Sequence, residues 1–154
     1  MVNWYNVLKY IHVLSVVIWI GGLTGLAVVI WRIAKERNRA ALISLLKHGS
    51  SYGQLVVGPA TGFVLLTGLT MVGIGHLGYG TLWVLFGYAG ILVHGVVGGV
   101  FVRKRAEELL ALAASNAGDD ATLQAAARRL WATQLIYLIL LAIVIAGMVI
   151  KPTL

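Results

Sequence analysis

The sequence predicts an all-α membrane protein, a four-transmembrane-helix bundle, from its hydropathy, its composition and the placement of its charges. Four apolar runs, at about 13–31, 55–75, 81–102 and 130–150, approach the ~20 residues that a helix needs to cross a bilayer. Hydrophobic residues make up 60% of the chain and charged residues 11%, whereas soluble domains have roughly a quarter charged. These observations exclude a soluble globular fold.

The basic residues predict how the bundle is oriented. Ten of the twelve Lys and Arg residues lie in two of the three gaps between the runs: Arg32, Lys35, Arg37, Arg39, Lys47, Arg103, Lys104, Arg105, Arg128 and Arg129. Because basic loops stay in the cytoplasm, we expect 32–54 and 103–129 inside, and both termini and the 76–80 loop outside. Basic loops also attract anionic headgroups. The net charge of +7 therefore predicts the lipid bilayer as partner, and no nucleic acid.

The chain is expected to form one integral membrane domain over 1–154, multi-pass in the bacterial inner (cytoplasmic) membrane. We place the spans at about 10–33, 52–75, 81–103 and 129–151. The segment 39–47 predicts a short amphipathic helix on the membrane surface, ended by Gly49. Strong helix formers continue span three to residue 114, and Asp119 or Asp120 can cap the next helix. Spans three and four thus predict a helical hairpin extending into the cytoplasm.

Glycines at four-residue spacing predict where helices approach closely. The pairs are Gly21–Gly25, Gly58–Gly62 and Gly95–Gly99. Small residues at this spacing let helix backbones come together in lipid, so these faces are expected to pack against other helices, a membrane-protein partner or a second copy. Span four contains only Gly147 and is expected to be more lipid-exposed than the others. Pro59 is expected to kink span two, because it removes a backbone donor.

The first candidate for chemistry is a polar stripe on span one. Tyr5, His12 and Trp19 recur every seven residues, nearly two helical turns, and therefore share one face. Such a stripe normally faces protein rather than lipid. His12 is a candidate ligand for a cofactor or metal, with Trp19 beside it. The alternative is a hydrogen-bonding histidine near the outer surface.

The second candidate is His94, which lies well inside span three, where an ionisable residue is a functional hypothesis by default. Gly87, Gly90 and Gly98 surround it at helical spacing and leave a groove without side chains. That groove could accept the face of a porphyrin. It could equally accept a neighbouring helix, with His94 hydrogen-bonded to Thr61, Gln134 or Tyr137.

Depth in the membrane decides which histidines can cooperate. Counted from the inner-edge arginines at helical rise, His12 and His94 differ in height by roughly 16 Å, too much for two ligands of one haem. His76, at the outer end of span two, matches His12 better and is the preferred second ligand, with Met71 a weaker candidate. The chain has no cysteine, so a metal would need His, Met or oxygen ligands. No acid lies in a span, which disfavours hydrolases and proton pumps.

The segment from Leu8 to Gly22, with His12, Trp19 and a Gly-Gly pair, resembles the first span of the CopD-like membrane superfamily. That superfamily includes copper-resistance CopD proteins, HemJ-type protoporphyrinogen oxidases and a family of uncharacterised bacterial integral-membrane proteins, which this chain resembles most. The similarity extends through Gly58-Pro59, Leu82-Trp83 and the Lys151-Pro152 ending. It implies a copper or haem role for His12, and does not extend to His76 or His94.

Three functions are compatible with these residues. The first is a small membrane protein that binds haem b or acts as an accessory subunit in electron transport beside a membrane redox complex. The second is a structural membrane subunit without a cofactor, and the third is a copper-handling membrane protein. Whether the chain is an enzyme is left open by the sequence.

Overall fold

The computed structural model describes residues 3–36, 38–115 and 119–151. These residues form four helices long and apolar enough to cross a membrane: α1 (Trp4–Lys35), α2 (Arg39–Ile74), α3 (Leu82–Ala114) and α4 (Asp120–Ile150). No strand occurs among them. The predicted all-helical, four-span architecture is confirmed. Arg37 and the predicted helix break at 116–118 lie outside the described residues.

Short polar side chains start three of these helices at their caps. The Asn3 side chain accepts hydrogen bonds from the backbone N–H groups of Tyr5 and Asn6, and Asn38 accepts one from Ala41. Asp119 accepts one from the N–H of Thr122 at 2.8 Å, so it is the Asp119 carboxylate that caps α4. Each cap satisfies backbone donors that have no partner within the helix.

Two of the helices contain π segments. In α2, Gly53–Val57 is π-helical and lies directly before Gly58–Ile74, with Pro59 at the first turn of the following α-helical part. In α3, the π segment His94–Val102 separates Leu82–Val93 from Arg103–Ala114. The sequence predicts an irregular helix at Pro59, and the structure has a π turn directly before that residue. Such segments are uncommon and recur at functional sites.

The amphipathic segment after α1 does not form a separate helix that ends at Gly49. Residues Arg39–Tyr52 are the first part of α2, which runs without interruption to Ile74. Leu42 and Leu46 are buried in a core with Ile30, Leu109 and Leu130. The apolar face of this segment therefore packs against other helices of the protein rather than lying on the membrane surface.

The end of the bundle that carries the arginines, here called the basic end, has its own packed core and its own caps. Arg39 donates from Nε to the carbonyl of Ala113 at 2.8 Å and from Nη2 to that of Leu112 at 3.0 Å. These bonds satisfy carbonyls at the C-terminus of α3, where a cation is also favoured by the helix dipole. The hairpin of α3 and α4 reaches this end, as the sequence predicts.

The four helices do not pack equally against one another. Helix α1 packs between α2 and α4, and α3 packs on α4. Helices α2 and α3 approach each other at both ends of the bundle. Between those ends, no Cα atom of the described residues in Gly53–Ile74 lies within 8 Å of a Cα atom in His94–Val102. Packed helices have axes 8–10 Å apart, so α2 and the π segment of α3 are not closely packed there. We call the gap between them the seam.

The glycine pairs do not make the close helix contacts that their spacing predicts. A Cβ atom added to Gly21, Gly25, Gly62 or Gly95 would meet nothing within 4 Å, and at Gly58 or Gly99 it would meet only a carbonyl of its own helix. Other glycines make the close contacts inside the bundle: Gly22 with Tyr52, Gly90 with Val144, Gly98 with Tyr137 and Gly147 with Phe86. Spacing does not reveal which face of a helix points inward.

Helix α4 is not the most lipid-exposed helix. Its inward residues Leu130, Gln134, Tyr137 and Leu141 are almost completely buried, and the apolar part of α3 has the smallest buried share of the four. The reason is that α4 lies between α1 and α3 and contacts both, whereas α3 leaves one side open at the seam.

Replacing Gly98 by leucine should destabilise the bundle, whereas Gly95→Leu, its matched control in the same π segment, should leave stability nearly unchanged. A Cβ atom at Gly98 would lie 3.2 Å from Cζ of Tyr137, while at Gly95 it would meet open space. Overpacking of this kind costs about 1–3 kcal/mol. Thermal unfolding in detergent measures both variants, and equal melting temperatures would contradict the packing described for the two glycines.

Candidate functional site

Three side chains from three helices meet inside the bundle, and we call Trp19, His94 and Tyr137 the aromatic centre. The indole of Trp19 meets the imidazole of His94 edge-on, with ring centroids 5.2 Å apart and planes at 88°. The His94 Nδ1 atom lies 2.5 Å from the hydroxyl oxygen of Tyr137. Trp19 and Tyr137 are 5% and 1% exposed. One polar contact thus links α3 to α4, and one ring contact links α3 to α1.

Helical periodicity places these residues in the interior. Trp19 follows buried Ser15 by one turn on the inward face of α1, and Tyr137 lies between Gln134 and Leu141 on that of α4. The missing side chain of Gly98 leaves the space that the Tyr137 ring occupies. His94 is the first residue of the π segment in α3. The positions of all three side chains therefore follow from local features of their helices.

The position of the protons at the aromatic centre follows from which atoms can donate and which can accept a hydrogen bond. Among the described residues, His94 Nδ1 is the hydrogen-bond partner of the buried Tyr137 hydroxyl. Because a buried hydroxyl that donates to nothing is costly, we assign Tyr137 as the donor and Nδ1 as the acceptor. In a neutral imidazole the proton then lies on Nε2. This N–H has no hydrogen-bond partner among the described residues.

Two further polar atoms near the aromatic centre are buried without a partner. They are Nε1 of Trp19 and Oε1 of Gln134, which have no hydrogen bond within the described part of the chain, and both residues are 5% exposed. Gln134 lies one helical turn from Tyr137, nearer the basic end. An unsatisfied buried polar group is costly and requires an explanation, such as a bound water or ligand. Two buried polar atoms of this bundle therefore have no hydrogen-bond partner among the described residues.

His12 has the opposite arrangement of protons. Its Nδ1 atom lies 3.0 Å from Oγ1 of Thr67, and the Thr67 hydroxyl donates to the carbonyl of Phe63. The Thr67 oxygen therefore accepts from His12, which puts the proton on Nδ1 and leaves the lone pair of Nε2 free. A neutral imidazole with one nitrogen fixed in this way is the form that binds metals. Gly68 packs on the same imidazole.

The structure does not bring the two embedded histidines together. His12 contacts α2, and Trp19, seven residues further along α1, contacts His94. Seven residues correspond to about 10 Å of helix, less than the ~16 Å that the basic loops indicate. The separation is still too large for both imidazoles to bind one iron, as the sequence predicts.

The two other predicted ligands lie nearer the end of the bundle opposite the basic end. His76 is exposed, in the turn after α2, with a left-handed backbone (φ 49°). Met71 is half-buried on the last turns of α2. No three His, Asp or Glu side chains among the described residues converge on one metal position. Ligation by His12, His76 and Met71 therefore stays a prediction.

The glycine groove beside His94 is filled by α4. Gly87 faces Met148, Gly90 faces Val144 and Gly98 faces the ring of Tyr137. Side chains of α4 occupy the space beside these glycines in the structure, and ligation of a haem by His94 stays a prediction. The contacts agree with the alternative interpretation, a neighbouring helix with His94 bonded to Tyr137. The contact of Trp19 with His94, by contrast, is not signalled by any sequence pattern, since it joins α1 and α3, whose described Cα atoms nowhere lie within 8 Å of each other.

These features define a four-span integral membrane protein whose apolar outer faces contact lipid and whose polar side chains are gathered inside. The chain belongs to the family described as "Predicted integral membrane protein (DUF2269)", whose model matches residues 6–152. No curated protein and no solved structure matches it.

Proposed function

We propose that this chain is an accessory subunit of a membrane assembly in the bacterial inner membrane, and that it docks on its partner through two outward-facing glycine tracts. The observation that carries the proposal is that four glycines lie on the outer faces of their helices. Gly21 and Gly25 on α1, and Gly95 and Gly99 on α3, are exposed and contact no other helix. In lipid, small residues four apart let a second helix approach closely.

The α1 tract offers a smooth surface for such a helix. Thr24 lies between its two glycines, and the Thr24 hydroxyl donates to the carbonyl of Ile20 at 2.8 Å. The tract therefore exposes little unsatisfied polarity. Val17 and Val28 border it and are 61% and 49% exposed. A partner helix could pack its side chains between these valines and against the bare backbone of the glycines.

The orientation of the subunit rests on the basic end. Arg32, Arg39, Arg103 and Arg128 lie at the two connections that meet there, which favours a cytoplasmic location for this end and an external one for both termini. The partner would therefore contact the α1 tract near the middle of the membrane. The basic end would be free to contact a cytoplasmic domain.

Substitution within a tract should release the partner without unfolding the subunit. We expect protein extracted from native membranes in mild detergent to migrate above its own mass of 16.5 kDa plus micelle, and Gly25→Leu to shift it to the monomer mass. Gly62→Leu is the matched control and should keep the assembly, because Gly62 lies on α2 outside both tracts and an added Cβ there meets nothing within 4 Å. Native electrophoresis and light scattering measure the mass. A monomeric wild type, or an unchanged assembly in Gly25→Leu, would refute the proposed interface.

A second candidate function, haem or copper binding at His12, is favoured by the free Nε2 lone pair of that residue. It also rests on the resemblance to the CopD-like superfamily, which we propose as the wider group of this chain. His12 would supply one axial ligand to a haem, and His76 or Met71 the other. Haem bound there would provide one-electron transfer. The same residues offer the nitrogen and thioether ligands that suit copper.

Purified protein expressed with ample haem should then show a Soret band that is lost in His12→Ala and retained in His94→Ala, because Nε2 of His94 is protonated and Nε2 of His12 is not. An absorption spectrum and metal analysis decide between haem and copper. Colourless, metal-free protein would exclude both cofactors and leave the structural subunit.

A further inference from the structure

We propose that the seam between α2 and α3 is a binding site for the headgroup of a lipid-soluble quinone, with Nε2–H of His94 as the hydrogen-bond donor to a quinone carbonyl. The proposal is independent of the assembly and of haem binding at His12. It rests on the opening of the seam, on the unpartnered polar atoms around it and on its depth in the membrane.

The seam gives a ligand access to the aromatic centre from the lipid. His94 begins the π segment that is separated from α2 by more than the 8 Å Cα distance of close packing. Its imidazole is half-buried, whereas Trp19 and Tyr137 on either side are almost completely buried. Gly95, the next residue, has open space beside it. A flat molecule that entered between the helices would therefore meet the edge of His94 first.

The polar atoms at the aromatic centre are suited to a ligand with carbonyl oxygens. Tyr137 fixes the imidazole so that Nε2 is a donor, and this N–H has no partner among the described residues. Nε1 of Trp19 is a second N–H beside it, which lies near the Tyr137 hydroxyl but does not form a hydrogen bond of full geometry with it. Aromatic rings also pack favourably on a planar ring system. Two N–H groups and an aromatic wall match the carbonyl oxygen and the ring of a quinone.

Depth in the membrane selects the class of lipid. His94 lies nine residues from Arg103, at most about 14 Å along a helix, which is close to the middle of a ~30 Å hydrocarbon core. A charged phospholipid headgroup cannot be moved to that depth without a large desolvation cost. A quinone has no charge and exposes only carbonyl oxygens, so it dissolves in the hydrocarbon and loses little on entering the seam.

Binding can be measured with decylubiquinone, a short-chain quinone, by quenching of tryptophan fluorescence in the purified full chain in detergent. We expect saturable quenching by the quinone and none by decylbenzene, which has the chain without the carbonyls. His94→Leu should weaken binding about tenfold, the loss expected for one buried hydrogen bond. His94→Gln keeps an N–H donor and should bind more tightly than His94→Leu. His48→Leu, an exposed histidine near the basic end, is the control and should bind like the wild type.

Two results would overturn the site. One is a wild type without saturable quenching, and the other is equal affinity in His94→Leu and His48→Leu. Displacement of the quinone by a short-chain phospholipid would likewise refute the selection by depth. If His94→Leu does not fold, as judged by thermal unfolding, Trp19→Phe decides, because it keeps the aromatic wall but removes the second donor and should also weaken binding. Binding to this variant is measured by equilibrium dialysis of the quinone, since the variant lacks the fluorophore nearest the site.

Discussion

A polar side chain in the hydrocarbon of a bilayer can find a hydrogen-bond partner only within the protein, and the contact of His94 with Tyr137 meets this constraint. The imidazole on α3 and the hydroxyl on α4 satisfy each other. Their contact fixes how far each helix can rotate and slide, and it requires Gly98 beneath the tyrosine ring. The packing of α3 on α4, the orientation of the imidazole and the filled glycine groove all depend on this bond.

The same constraint gives the two embedded histidines different chemistry. A hydroxyl that has no other acceptor, as in Tyr137, makes His94 a donor at Nε2. A hydroxyl already committed to a carbonyl of its own helix, as in Thr67, makes His12 a potential ligand at Nε2. Both bonds involve Nδ1 and an oxygen of a neighbouring helix. What differs is the direction of the proton, which leaves Nε2 of His94 as a donor and Nε2 of His12 as an acceptor.

Much of the architecture could be predicted from the sequence, because the bilayer imposes strong rules on composition. The spans follow from hydropathy, the hairpin of α3 and α4 from helix formers and an Asp cap, and Tyr137 is one of three partners that a helix beside His94 predicts. The polar stripe on span one predicts that His12 and Trp19 face protein, and both contact neighbouring helices.

Other features depend on which helices are neighbours, and local sequence does not contain this information. The glycine spacing of Gly21–Gly25 is identical whether the face points to protein or to lipid. Leu42 and Leu46 form the same amphipathic pattern on a membrane surface as in a packed core. The π segment that begins at His94 breaks the 3.6-residue period, so a helical wheel misplaces the residues after it, Gly95 and Gly99 among them.

The central claim, that the hydrogen bond between His94 and Tyr137 joins α3 to α4, is tested most directly by a double-mutant cycle of His94→Leu and Tyr137→Phe. The free energy of unfolding in detergent or bilayer would be measured for the wild type, both single variants and the double variant. A coupling energy of about 0.6 kcal/mol is expected, the average measured for hydrogen bonds between membrane helices, for which the largest measured value is about 1.7 kcal/mol. Strictly additive effects of the two substitutions would contradict it.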